Sequence, residues 1–203
     1  NALLCSFNFE TKIGPCYIDD ELNQKQVIQK IKDTANDLIF QFGDIKNKSP
    51  FYIKKINKKE EWVKEFPHFD WAAGIAANNK IFINNSKILN NVDMLETISH
   101  EICHIYQHRI KQSGTFPSWF KEGMAMYFSK DFFDKEITTL SESILLDYVI
   151  ELDKLHNISN LKNIKEIKVA YKESLYAYEK LINLYSPNSV KEIISQMNHS
   201  SFQ

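Results

Sequence analysis

Between Asp19 and Asp44 the apolar positions Ile28, Ile31, Ala35, Leu38 and Phe42 recur at the helical period, which predicts an amphipathic helix with Asp19 or Asp20 as N-cap and Gly43 as its stop. From Pro50 the run PFYIKKI reads as a strand. Asn57 followed by Glu60 resembles a capping box that opens a short helix through Trp62 and Phe66. In WAAGIAANNKIFINN, Ile75 and the Ile81 to Ile83 run flank the turn residues Asn78 and Asn79, the pattern of a β-hairpin. Its small residues Ala73, Gly74, Ala76 and Ala77 leave the backbone open to close approach. Beyond Asn91 the periodicity is helical, over 92–111, 117–129, 141–155, 165–185 and 189–197. The expected fold is α+β in a single domain: an α/β lobe at 1–90 with a small sheet and an edge strand, and a helical lobe at 91–203.

With 203 residues, 43% of them apolar, the chain is long enough for one sizeable core. The 25 basic and 26 acidic residues nearly cancel, and the lysines are scattered, so nucleic acid and anionic lipid are not the expected partners. The most apolar segments, DLIFQF and SILLDYVI, are broken by Gln41 and Asp147, and no membrane span is expected. The chain starts at Asn1 without methionine, and NALLCSF fits the end of a removed export signal, which leans the expected location to the extracytoplasmic side. Cys5 and Cys16 would be free to pair in an oxidising compartment.

The stretch SHEICHIYQH carries the chemistry. On a helix, His100 and His104 stand one turn apart on one face, so both imidazoles reach a common point, and Glu101 lies beside them. This is the HExxH arrangement, in which two histidines ligate zinc and the glutamate acts on a water at the metal. A third donor is needed, and Glu122 offers one in FPSWFKEGMAMYFS, after seventeen intervening residues. His108 lies a further turn along the same face and reads as a supporting or packing residue; Cys103 reads as core.

These segments resemble the gluzincin metallopeptidases, the superfamily of thermolysin and aminopeptidase N, and especially their small peptidase-MA-like domains. The likeness rests on His100, Glu101 and His104, on Trp119, Glu122, Gly123 and Ala125 as W-x-x-E-G-x-A, and on Tyr171 and Ser174 as the start of a helix. It covers about Trp71 to Leu184. The resemblance implies a zincin-like fold with a zinc cleft between its lobes. One Zn2+ per chain would be held by His100, His104 and Glu122, with Glu101 as general base and Tyr171 as donor to the oxyanion. It further implies hydrolysis of a peptide or protein substrate.

Gly74, Ile75, Ala76 and Ala77 are then the expected substrate-binding edge, pairing with an extended chain. The chain lacks a G-x-M-E-N segment, the amine-reading motif of the aminopeptidases, so internal cleavage is expected. Where thermolysin-like enzymes carry an aspartate four residues after the third ligand, this chain has Met126, so another group must orient a ligand histidine. Tyr176 and Tyr178 compete with Tyr171 for the oxyanion role. Three other readings stand beside this one. They are an inactive zincin-like binding or scaffold domain, an aminopeptidase of the same superfamily, and a di-iron site that pairs Glu101 and His104 with Asp153 and His156.

Overall fold

In the computed structural model, residues 7–110, 116–130 and 149–197 are described. The chain divides into two units, Asn1–Ile110 and Lys111–Gln203.

The first unit is built on a five-stranded mixed sheet of order β1-β2-β3-β5-β4, from β1 (Phe7–Thr11), β2 (Gly14–Ile18), β3 (Phe51–Ile56), β4 (Gly74–Ala77) and β5 (Lys80–Asn84). The hairpins β1/β2 and β4/β5 are antiparallel, while β2/β3 and β3/β5 are parallel. Alternation sends Cys16, Ile18, Phe51, Ile53, Ile81 and Ile83 to one face, all fully buried. The period-2 pattern of Ile75 and Phe82 points the other way, to a cluster around Trp62 of α2 (Lys59–Glu65). The β4/β5 turn is made by Asn78 and Asn79 at φ 51° and 60°, left-handed values that a two-residue hairpin turn requires and asparagine tolerates.

Helix α1 (Lys25–Phe42) buries Val27, Ile31, Ala35, Leu38 and Phe42, and Gly43 ends it at φ 97°. It packs on β1 and on α3 (Asn91–Ile110), which itself lies on β4 and β5. A buried contact between the Thr34 and Ser99 hydroxyls, 3.0 Å, joins the two helices. Tyr106, fully buried, donates its hydroxyl to the Gly43 carbonyl at 2.8 Å, and burial raises its pKa. At the end of α3, Arg109 is 3% exposed and donates to the carbonyls of Ile13 and Ser49 and to Asn79 Oδ1, with its guanidinium over the Phe51 ring. Burial lowers its pKa to about 10.

Several expectations need correction. The strands β1 and β2 were not anticipated; both are short, and β1 is only half buried, so neither makes a strong apolar run. Asp19 does not cap α1. Its carboxylate accepts from the Lys55 amide at 2.9 Å, Asp20–Leu22 form one 3-10 turn, and α1 starts after Gln24. Asn57 does not form a capping box either: its amide donates to the Glu21 carboxylate, and Lys58 occupies the N-cap of α2. Helix α3 packs on the sheet and lies within the first unit, which runs to Ile110.

The second unit contains α4 (Ser118–Ser129), a single turn α5 (Leu152–Leu155) and the long α6 (Ile164–Met197). Gly123 marks a close approach of α4 to α6: a Cβ there would lie 2.2 Å from the Ser174 carbonyl oxygen and 2.8 Å from Tyr178 Cβ. Around it Tyr178 meets the rings of Phe120 and Tyr127, each at 5.5 Å. A second cluster of Ile150, Leu155, Ile158, Val169 and Ala170 is covered by Trp119 and Tyr171. The break expected between two C-terminal helices occurs at Ser186, φ 63° and ψ 159°, just before Pro187. Most of the helix expected at 141–155, and Cys5, lie outside the described residues. Among the described residues no helix is long and apolar enough to cross a membrane.

Candidate metal centre

Helix α3 is buried nearly all round from Thr97 to Gln107, which is why its polar residues cannot be read as a solvated face. His100 and Glu101 are only 6% and 5% exposed, and His104 is half buried. The two imidazoles stand with ring centroids 4.9 Å apart and planes at 75°, as the one-turn spacing dictates. One donor atom each from His100, His104 and Glu122 lies within 4.8 Å of the others. His108 is exposed, which does not suit the packing role expected of it, and it is not one of this group.

The donor set fits a divalent transition metal. Two imidazole nitrogens and one carboxylate oxygen make up a three-ligand zinc set that leaves a fourth position open. His104 Nδ1 lies 3.0 Å from Gln107 Oε1, an engagement that leaves Nε2 as the ring nitrogen for a metal. Gln107, 3% exposed, is a residue that sequence reasoning missed; a glutamine three residues after a helical histidine carries no signal of its own.

The edge strand reaches the motif at Glu101. A Cβ on Gly74 would lie 2.8 Å from Glu101 Oε1 and 2.8 Å from Thr97 Cγ2, so only glycine lets β4 run this close to the carboxylate. The hairpin register then sorts the backbone groups of β4. Asn84 N–H donates to the Ala73 carbonyl, and opposed pairs alternate between bonded and unbonded, so Ile75 and Ala77 spend their groups on β5. Gly74 and Ala76 present N–H and C=O to the side of β4 on which no strand pairs among the described residues, whereas the sequence expectation treats all four residues alike.

Of the three tyrosines, Tyr178 is fully buried among rings and Tyr176 is 46% exposed beside Lys180. Tyr171 is half buried, on the second cluster of the helical unit. Comparison with family models, with curated proteins and with solved structures gave no match.

Proposed function

We propose that the chain is a zinc-dependent endopeptidase of the gluzincin type, with a zincin-like fold. The observation that carries this reading is the convergence of His100, His104 and Glu122 with a buried glutamate, Glu101, one residue from a ligand and against the edge strand. Zinc bound by the three side chains would supply a Lewis acid that makes water a nucleophile near neutral pH and polarises the scissile carbonyl. Glu101 takes the proton of the attacking water and then passes it to the leaving amine. Tyr171 donates its hydroxyl to the carbonyl oxygen as negative charge develops there. Gly74 and Ala76 hydrogen-bond the substrate backbone as an added strand, which orients an extended peptide past the general base. Strand pairing reads main chain on both sides of the bond to be cut, and so favours internal cleavage of extended segments.

The test compares the purified chain with Glu101→Gln on an N-terminally blocked peptide and on its free-amine counterpart, with a chelator control. The wild-type chain should bind one zinc and cut both peptides internally. Glu101→Gln should keep zinc and lose about 10²-fold or more in turnover, because an amide does not accept the proton. Wild-type turnover in Glu101→Gln would overturn the assigned base. Release of single residues from the free-amine peptide alone would replace the endopeptidase with an aminopeptidase.

A further inference from the structure

We infer that Gln107 is a positioning residue that holds His104 in the tautomer able to ligate metal, an inference that rests on the metal centre proposed above. A neutral imidazole carries one N–H, and the nitrogen that bears it cannot bind a metal. His104 Nδ1 faces Gln107 Oε1 at 3.0 Å. A carboxamide oxygen only accepts, so this contact requires the proton on Nδ1 and leaves the lone pair on Nε2. The carboxamide is itself held. Its Nε2 lies 3.5 Å from Cys103 Sγ, one turn back on the same helix, and the residue is almost fully buried.

Reversing the amide would put its N–H groups against Nδ1 and force the imidazole proton onto Nε2, the nitrogen required for the metal. The orientation of one buried amide thus separates a metal-competent histidine from an incompetent one. For His104 the orienting group thus comes from the motif helix itself, while Met126 is buried and apolar.

The experiment uses the full chain, labelled with ¹⁵N-histidine and stripped of metal, at pH 8. Long-range ¹H–¹⁵N correlation should show His104 with its proton on Nδ1. In Gln107→Leu the ring should shift toward the Nε2–H form, and the zinc Kd, read by competition with a chromophoric chelator, should rise about 10- to 100-fold. Gln107→Glu, whose carboxylate still accepts from Nδ1–H, should keep the wild-type tautomer and affinity. An Nε2–H signal for His104 in the wild-type chain, or equal zinc affinity in Gln107→Leu, would overturn the inference. Where Gln107→Leu does not fold, the wild-type tautomer and Gln107→Glu decide it. A failure of the metal centre itself looks different: the wild-type chain and His104→Ala would then titrate alike against the chelator, whatever the tautomer.

Discussion

Gly123→Ala sets two effects of opposite sign against each other. Alanine in a helix interior is favoured over glycine by about 1 kcal/mol, so an exposed site would be stabilised. Here the new Cβ would lie 2.2 Å from the Ser174 carbonyl oxygen, 2.8 Å from the Ser174 carbonyl carbon and 2.8 Å from Tyr178 Cβ. Ordinary contact begins at 3.4 Å, so α4 and α6 must part by roughly 1 Å. The obstacle is backbone, with no rotamer to escape into, and the surrounding rings of Phe120 and Tyr178 are fully or almost fully buried. Overpacking of this kind costs about 1–3 kcal/mol and occasionally more, and a backbone clash belongs at the upper end. The clash wins, for a net loss of about 2 kcal/mol or more. Because Glu122 is the preceding residue on α4, zinc affinity should fall with stability. Urea unfolding of both chains, followed by chelator competition, measures the two effects. A midpoint equal to or above wild type would refute the close α4–α6 packing at Gly123, because propensity would then have prevailed.

Gly74→Ala crowds Glu101 and Thr97 in the same manner and should lower kcat at least about tenfold while zinc stays bound, since small misplacements of a reacting group are costly; wild-type turnover would show that the edge strand does not constrain the base. Ala76→Pro removes an N–H aimed at the open edge and should raise KM with the zinc content unchanged, so an unaltered KM would argue against strand pairing by the substrate. Tyr171→Phe should reduce kcat about 10²-fold with little change in unfolding, whereas Tyr178→Phe should leave kcat near wild type; an exchange of these phenotypes would move the oxyanion donor to Tyr178. Burial raises the Glu173 pKa above its ordinary 4.5, so the folded chain keeps a proton that the unfolded chain releases, and stability falls as pH rises through that window. Glu173→Gln removes the penalty, and its Tm advantage over wild type should grow between pH 4 and pH 8; a gap independent of pH would contradict it.

The candidate metal donors His100 and His104 were legible because ligand geometry imposes a one-turn spacing, and Glu101 stands between them in the same five residues. Glu122 needed a second motif. The β4/β5 hairpin was legible for a similar reason: the Asn78–Asn79 turn demands residues that accept positive φ, and the sequence supplies them. The caps were misread because Asp19 and Asn57 have tertiary partners, the Lys55 amide and Glu21, that local pattern does not reveal. Strand β2 was hidden by Pro15, which is tolerated because pairing with β3 begins one residue later, at Cys16. Gln107 and Arg109 look like ordinary polar positions on a helix, and only the packing of α3 on the sheet shows that they are buried.

Arg109 bears on the order in which the fold can be completed. Its guanidinium collects Ile13, Ser49 and Asn79, which are 96, 60 and 30 residues away. Non-local contacts of this length require loop closure before they return any stabilisation, so they belong to the late part of folding. During synthesis every strand of the sheet emerges before the residue that ties their turns together. The far end of the motif helix is thus tied to three of the sheet's loops through one cation, and the candidate metal-binding turn lies upstream on the same helix.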